Sequence, residues 1–540
     1  MMLRISADKA ANAFLLFNDC RSIFMLPIFA HIDSLLRARK LAVAEQALMG
    51  IIETHSHHTD THIMLAKLRQ MQGQFDKMLE SAQTAQSLSP TNVIARFQSI
   101  ESLVNLGRIS EARNALDSLQ KSNPTDTRIL QSVAEFYTHI GEFECAWQCL
   151  KKALTTDNRD PQLNYNAAVA AMAVGHIRQA ERLFDTVIAL RPDDYDAYYN
   201  RSTLRKQTPQ DNHIDELHNQ LAKSAKQNGG EVQIRYALAK EYEDLGDWQK
   251  SFTHLSAGAV KRASMLSYSV EDDLQTMEAI QRCMDKSWCE NIHTDSKAGP
   301  IFILGMPRTG TTLVDRILNS HSQVNSLGEI NDFALAMMRK TGRVTSKLDA
   351  VQKSVTINMQ ALGDDYRKST GERSPSNDLV LIDKTPANFL YIGLIAKALP
   401  DAKIINLVRN PMDTCYAIYK TLFRMGYPFS YDLNSLADYF LGYHNLMRHW
   451  NSVMPGRILS VEYEKLIVDT EPLTRAILTH CGLEWQDACL SHHQQEAAVA
   501  TASAIQVRQP IYTTSIQKWK HFETELGPLR ERLARGGVTI

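Results

Sequence analysis

Apolar and polar positions follow different patterns in the two parts of the chain. Between about residues 25 and 265, small and apolar positions recur with a period of 34 residues, which predicts repeated helical units. From residue 300 onward, short apolar runs alternate with helical stretches. The runs that predict strands are 300–305, 323–327, 379–383, 403–408 and 457–462. Strands that alternate with helices predict a doubly wound, mostly parallel sheet, so the predicted fold class is α plus α/β.

Glycines mark the repeat in the N-terminal part. They are Gly73, Gly107, Gly141 and Gly175, each 34 residues apart, and the residues five positions after them are Met78, Ala112, Ala146 and Ala180. This pattern resembles the tetratricopeptide repeat, a helix–turn–helix unit, and frames copies at 59–92, 93–126, 127–160 and 161–194. An earlier, degenerate copy has Arg39 in place of the glycine, and the pattern returns at Gly246.

The predicted domains are an N-terminal extension (1–24), the repeat array (25–265), a helical connector (266–298) and a C-terminal domain (299–540). Stacked repeats form a concave surface, and the resemblance implies that a protein or peptide binds there. The alternatives are a scaffold that packs on the C-terminal domain and a homodimer contact. Six residues on the first helices of their units are candidates to face the concave surface, although they are equally compatible with ordinary surface and core positions. They are Tyr165, Asn166, Tyr198, Tyr199, Asn200 and Arg201.

The C-terminal domain opens with an apolar run, 301–304, that leads through a glycine-bounded loop into a helical pattern. The N–H groups and dipole at the start of such a helix suit an anion. The spacing from Gly305 to Gly310 matches the loop of nucleotide triphosphatases, but Thr311 stands where those proteins require lysine. A loop without that lysine, but with Arg308 and three threonines, suits an anion smaller than a triphosphate.

The stretch 307–313 resembles the 5′-phosphosulfate loop of sulfotransferases that use 3′-phosphoadenosine 5′-phosphosulfate (PAPS), and so implies a P-loop-like domain. The implied PAPS contacts are Arg308, Thr309, Gly310, Thr311 and Thr312. The stretch 404–413 resembles the second sulfotransferase signature, in which an arginine at a strand end, here Arg409, holds the 3′-phosphate. The family usually has a serine at the position of Ala417. Candidates to compensate for it are Thr414, Tyr416 and Arg508.

The stretch 506–519 resembles the late loop of protein-tyrosine sulfotransferases. The resemblance implies donor contacts from Arg508, Ser515 and Lys518. Gln517 replaces a serine of those enzymes, and Ser515 is its nearest substitute. By itself, this segment is equally compatible with a basic surface loop that Trp519 anchors.

Polar residues follow the carboxyl end of every predicted strand, which is where parallel sheets bind ligands. Sulfuryl transfer needs a base for the acceptor hydroxyl and a cation for the charge that develops. By resemblance, Glu329 is the general base and Lys384 is the cation. Asp332 is the base if the register differs, and His321 is a weaker candidate because it is expected to end the helix after the loop. No metal is expected.

Composition excludes several classes of function. Lys and Arg total 59 against 60 for Asp and Glu, without a basic run, so no nucleic-acid partner is predicted. The eight cysteines lack the spacing of a zinc site or a disulfide framework, which favours a reducing compartment. The apolar stretch 22–30 is short and flanked by charges, so neither a membrane span nor a signal peptide is predicted. We therefore expect a cytoplasmic protein.

These patterns predict a PAPS-dependent sulfotransferase with a tetratricopeptide array, for which the favoured acceptor is a protein tyrosine. One alternative acceptor is a glycan or small-molecule hydroxyl. Another alternative is a catalytically inactive nucleotide-binding scaffold, which Ala417 and Gln517 favour. The absence of the loop lysine argues against a kinase or triphosphatase.

Overall fold

The computed structural model describes residues 27–540 except for 123, 228, 291, 293–298, 375, 377, 424–425, 495–506 and 508–514. The predicted N-terminal extension (1–24) and the candidate donor ligand Arg508 lie outside the described residues. The chain forms two compact units, which divide between Ala170 and Ala171.

Paired helices make up the N-terminal unit. Their bounds are Pro27–Arg37, Leu41–Thr54, Thr59–Met71, Phe75–Leu88, Val93–Asn105, Ile109–Lys121, Thr127–His139 and Phe143–Thr156, and Pro161–Ala173 crosses the division. Gly73, Gly107 and Gly141 turn between paired helices with φ of 69°, 76° and 88°, a left-handed conformation that glycine adopts without strain. Arg39 adopts the same conformation with φ of 54°, so the degenerate copy is also a helical hairpin.

Small or flexible side chains lie where paired helices cross. Ala44, Met78, Ala112 and Ala146 have no exposed surface. Alanine lets two helices approach closely, and methionine adapts its shape to a narrow space. The helical repeats that the 34-residue period predicts are therefore confirmed.

Helical hairpins continue in the second unit. Their helices are Ile177–Leu190, Tyr195–Thr203, Ile214–Gln227, Glu231–Leu245 and Trp248–Ala263. Gly246 turns between the last two with φ of 79°. Tyr198, Asn200 and Arg201 are buried, so these three candidates for a concave surface belong to the packing between helices.

A five-stranded parallel sheet forms the centre of the C-terminal domain. Its strands are β1 (Ile301–Gly305), β2 (Val324–Ser326), β3 (Val380–Asp383), β4 (Lys403–Val408) and β5 (Ile458–Glu462). They are ordered β2-β3-β1-β4-β5, and every pairing is parallel. The predicted doubly wound sheet is confirmed. Because β1 lies between β3 and β4, the loop after β1 lies between the ends of those two strands.

Apolar layers cover both faces of the sheet. Alternate residues of β1 face opposite layers, with Phe302 and Leu304 in one and Ile301 and Ile303 in the other. The α-helices of this part are Val270–Cys283, Lys286–Cys289, Thr311–Asn319, Asp332–Thr341, Lys347–Ser354, Met359–Gly371, Ile392–Ala398, Pro411–Tyr419, Leu433–Val453, Tyr463–Val468, Thr470–Cys481 and Gly527–Arg535. The 3₁₀ helices are Pro386–Tyr391, Pro428–Tyr431, Asp487–Gln494 and Lys518–Phe522.

The last helical hairpin, formed by Glu231–Leu245 and Trp248–Ala263, shares an apolar core with the sheet. Val232 and Tyr236 are buried in the same cluster as Phe302 of β1. The Tyr236 hydroxyl donates to the Tyr419 carbonyl at 3.3 Å. The compact unit that contains the sheet therefore begins well before the boundary that the repeat pattern predicts near residue 265. Among all helices of the described residues, none is long and apolar enough to cross a membrane.

Candidate functional site

The loop after β1 turns tightly into the helix that begins at Thr311. Arg308 and Gly310 adopt left-handed conformations with φ of 69° and 101°. The Thr309 hydroxyl donates to the Met306 carbonyl at 2.7 Å and fastens the turn. The strand, loop and helix that the sequence predicts are thus present, and the backbone N–H groups at the start of such a helix suit an anion.

Tyr463, the first residue after β5, lies against this loop. A Cβ atom on Gly310 would be 2.5 Å from Cδ2 of the Tyr463 ring, so only glycine fits there. The Tyr463 hydroxyl is hydrogen-bonded to the Ser515 hydroxyl at 3.0 Å. The aromatic ring therefore connects the phosphate loop to the C-terminal segment.

The Arg409 guanidinium joins three segments at the carboxyl edge of the sheet. Its Nη1 donates to the Arg308 carbonyl at 3.0 Å, and its Nη2 donates to the Ser515 carbonyl at 2.7 Å. The guanidinium also lies over the Tyr463 ring, 4.9 Å from the ring centre. Its Nε is buried, and no described residue accepts a hydrogen bond from it. A phosphate oxygen would satisfy such a donor, so the residues present fit the nucleotide that the sequence predicts.

Side-chain caps hold the segments around Arg409. The Asn410 side chain accepts hydrogen bonds from the backbone N–H groups of Met412 and Asp413, at 3.0 and 3.1 Å, and so begins the helix Pro411–Tyr419. The Asp413 carboxylate in turn accepts the backbone N–H of Gln517 at 2.6 Å. The Gln517 backbone, which has φ of 58°, is therefore held in the C-terminal segment by its contact with Asp413.

The two predicted catalytic side chains are in direct contact. Lys384 Nζ lies 2.6 Å from Glu329 Oε1, and the Lys384 backbone N–H donates to the Gly328 carbonyl at 3.0 Å. The Lys384 side chain is 1% exposed and the Glu329 side chain 38% exposed. The ammonium is therefore buried beneath a carboxylate that solvent, or an acceptor, can reach.

Asp315 supports this pair from the helix after the phosphate loop. Its carboxylate accepts a hydrogen bond from the Ser326 hydroxyl, which in turn accepts the backbone N–H of Gly328 at 3.1 Å. Burial raises the pKa of the Asp315 carboxyl, while the charge of Lys384 opposes that shift. Asp315 thus helps to fix the turn before Glu329. An acidic residue within an amphipathic helix gives no signal of its own, so the sequence does not indicate Asp315.

The alternative catalytic residues have other partners. Asp332 is buried and pairs with Arg373 at 3.3 Å. His321 lies just beyond the end of the helix Thr311–Asn319, where its ring nitrogens contact the Glu484 carbonyl and the Gln323 N–H. These contacts make both residues structural and leave Glu329 as the exposed carboxylate beside Lys384.

The residues that could compensate for Ala417 also have partners. The Thr414 hydroxyl donates to the Arg409 carbonyl at 3.4 Å, and the Tyr416 hydroxyl donates to Glu243 at 2.6 Å. Lys518, a predicted donor ligand, contacts Glu243 as well, at 2.7 Å. Glu243 lies on a repeat helix, so no motif of the C-terminal domain could have indicated it.

Two family models match parts of the chain. Residues 300–487 match the model of the sulfotransferase family, and residues 165–204 match a tetratricopeptide repeat model. Residues 300–487 are therefore similar to the sulfotransferase family. The predicted resemblance, a sulfotransferase with tetratricopeptide repeats, is confirmed.

Relatives of the chain include proteins of several organisms. A protein of Aquifex aeolicus (strain VF5), described as uncharacterized, is 28% identical over 382 residues, which cover 67% of this chain and 49% of that protein. Protein-tyrosine sulfotransferase 1 of Danio rerio is 28% identical over 244 residues, which cover 41% of this chain and 65% of that protein. The chain thus spans about half to two thirds of the length of these relatives.

A solved structure, the sulfotransferase domain of the Synechococcus PCC 7002 olefin synthase, is 18% identical with a TM-score of 0.33, covering 46% of this chain and 98% of that chain.

In the part of the chain that the structure describes, no group of three or more His, Cys, Asp or Glu side chains is placed to hold a metal ion in the sulfotransferase domain or the repeats.

Proposed function

We propose that the protein transfers a sulfuryl group from PAPS to the hydroxyl of a protein tyrosine. The observation that carries the proposal is the contact between Glu329 and Lys384 beside a phosphate loop that has an arginine and no lysine. The family match over residues 300–487 supports the reaction class. Relatives named protein-tyrosine sulfotransferases, in Danio rerio and Gallus gallus, support the acceptor.

The donor would be held at the ends of β1 and β4. Arg308 and the N-terminus of the helix that begins at Thr311 would bind the 5′-phosphosulfate, with the hydroxyls of Thr311 and Thr312 as further donors. The Thr309 hydroxyl already donates to Met306, so its backbone N–H is the group left for the donor. Arg409 would bind the 3′-phosphate through its buried Nε.

The catalytic pair acts on the other side of β1. Glu329 accepts the proton of the acceptor hydroxyl while the hydroxyl oxygen forms its bond to sulfur. Lys384 offsets the negative charge left on the donor's phosphate oxygen as the bond from that oxygen to sulfur breaks. Because both groups are side chains of the protein, the proposed reaction requires no metal ion.

The repeat array would bind the protein substrate or a partner protein, since tetratricopeptide repeats generally mediate protein interactions. We place the reaction in the cytoplasm, because the composition and the cysteine spacing favour a reducing compartment. Association into a homodimer stays a prediction.

The deciding experiment uses PAPS labelled in its sulfuryl group. The purified protein is incubated with labelled PAPS and lysate of the host, without added Mg²⁺, and the label is followed into protein, glycan and small-molecule fractions. We expect label in protein, recovered as tyrosine O-sulfate after hydrolysis. Label in glycan or in small molecules would contradict the proposed tyrosine acceptor but would still agree with sulfuryl transfer from PAPS.

A binding measurement separates the enzyme from the inactive scaffold and from a nucleotide triphosphatase. Binding of the desulfated donor without any transfer would indicate the scaffold. Tighter binding of ATP with Mg²⁺ than of the sulfate donor would overturn the proposal. Arg308→Ala should weaken donor binding severely, because the loop would lose its cation.

A further inference from the structure

The repeat helix Glu231–Leu245 contributes a charged side chain to the sulfotransferase domain. The Glu243 side chain is 9% exposed, and its two oxygens receive hydrogen bonds from three side chains. Lys420 Nζ lies 2.8 and 3.0 Å from the two oxygens, Lys518 Nζ lies 2.7 Å from Oε1, and the Tyr416 hydroxyl lies 2.6 Å from Oε2. We call Glu243, Lys420 and Lys518 the lysine clamp.

The lysine clamp carries more positive than negative charge. Two ammonium groups share one carboxylate, and among the described residues neither ammonium donates a hydrogen bond to any other group. Each ammonium has three N–H donors, so donors remain on both. Burial alone would raise the pKa of Glu243, but Lys420 and Lys518 lower it well below its usual range, so the carboxylate is ionised. Such a cluster suits an additional anion.

The lysine clamp lies beside the donor-binding residues. Lys420 comes three positions after Ala417 at the end of the same helix, and residues at this spacing are neighbours on a helix surface. Lys518 comes three residues after Ser515, whose carbonyl accepts a hydrogen bond from Arg409. Burial lowers the pKa of the Lys420 ammonium, Glu243 opposes that shift, and the charges of Lys518 and Arg308 add to it. Both lysines are therefore close along the chain to residues of the carboxyl edge of the sheet: Lys420 to Ala417, and Lys518 to Ser515.

We propose that Glu243 is a positioning residue that holds Lys420 and Lys518 toward the 3′-phosphate of the donor. This inference rests on the proposed function, since it assumes a 3′-phosphorylated nucleotide. It makes the last repeat hairpin a part of the donor site. The two lysines contact the phosphate, and Glu243 acts through them.

The test compares two nucleotides that differ only in the 3′-phosphate. Calorimetry on the full chain measures the affinity for adenosine 3′,5′-bisphosphate and for adenosine 5′-phosphate, and the ratio of the two affinities is the readout. Glu243→Gln, Lys420→Met and Lys518→Met should each lower this ratio by about tenfold or more, because each removes or misplaces a charge-assisted hydrogen bond. If the three residues have only a structural role, the variants should lose affinity for both nucleotides equally, and the ratio should stay unchanged.

Matched controls lie on the same hairpin. Glu231→Gln removes a carboxylate that pairs with Arg235 on the same helix, and Lys250→Met removes an exposed lysine that pairs with Asp247. Both should leave the affinity ratio as it is in the wild type. If Glu243→Gln does not fold, the two lysine variants decide the question, because both lysines are partly exposed.

Two failures are distinguishable. If the wild type prefers the bisphosphate and all three clamp variants keep that preference, the positioning role is wrong and the proposed function stands. If the wild type does not prefer the bisphosphate, the donor itself is wrong and the proposed function fails with it.

Discussion

Lys384 Nζ lies 2.6 Å from Glu329 Oε1, and the ammonium is buried while the carboxylate is open to solvent. The contact joins the turn after β2 to the end of β3, next to the strand whose loop would hold the donor. One side chain of the pair is thus accessible to solvent, and the other is held inside the domain beside the loop that is proposed to bind the donor.

Replacing Glu329 with Gln should remove turnover and spare donor binding. The expected loss in kcat is about 100-fold or more, the usual contribution of a general base, and the donor Kd should change by less than about threefold. Single-turnover kinetics with calorimetry measure both quantities. Glu471→Gln, which removes an exposed carboxylate paired with Arg475, is the control. Unchanged turnover in the Glu329 variant would remove this residue from the mechanism.

Replacing Gly310 with Ala should weaken both the fold and donor binding. The new Cβ would meet the Tyr463 ring at 2.5 Å, in a backbone conformation that alanine rarely adopts. The left-handed conformation alone costs about 1–2 kcal/mol, and the clash adds to it. Gly482 also has a left-handed φ, 71°, but a Cβ atom there would have open space around it. Gly482→Ala therefore reports the conformational cost alone. Denaturant unfolding should therefore show a larger loss for Gly310→Ala, and equal losses would contradict the contact with Tyr463.

Asp383 should make stability depend on pH. It has no exposed surface, and burial raises its pKa to about 7. An unfolded Asp has a pKa of about 3.9, so the folded state binds more protons between about pH 4 and pH 7, and the contribution of Asp383 to stability falls as pH rises through that interval. Asp383→Asn cannot ionise.

The melting temperature of Asp383→Asn, relative to that of the wild type, should therefore rise between pH 4.5 and pH 7.5. The exposed Asp378→Asn is the control and should follow the wild type at every pH. A constant difference between Asp383→Asn and the wild type would show that the buried carboxyl does not titrate in this interval.

The last hairpins should be required for the sulfotransferase domain to fold. A fragment from residue 266 to 540 loses Val232, Tyr236 and Leu255 from the shared core, and each such side chain contributes about 1.5–3 kcal/mol. That loss is comparable to the net stability of a domain, about 5–15 kcal/mol. We expect this fragment to aggregate and a fragment from 174 to 540 to unfold cooperatively, as size-exclusion chromatography and thermal melts would show. A stable, donor-binding fragment from 266 would contradict the shared core.

The helices and strands were predictable from the sequence, as was the edge of the sheet at which the candidate residues meet. The strands were predictable because buried parallel strands read as apolar runs, and the hairpins because a left-handed turn favours glycine every 34 residues. Glu329 and Lys384 followed from a resemblance, together with the rule that ligands bind at the carboxyl ends of parallel strands.

Other parts of the site depend on tertiary contacts that leave no local pattern. Glu243 is 177 positions from Lys420 and 275 from Lys518, and it belongs to a different supersecondary unit. Asp315 acts through Ser326 on a turn that another strand supplies. Tyr463 directly follows β5, but its contact with Gly310 depends on the order of the strands.

The shared core of the last hairpin and the sheet also affects how such a protein can diversify. Hairpins before residue 170 form a compact unit of their own, so they can be duplicated, lost or exchanged for others while the catalytic fold keeps its interior. The hairpin that ends at Ala263 has no such freedom, because its apolar face is buried with β1. The beginning of the array can therefore change independently, whereas its end must be inherited together with the domain that contains the sheet.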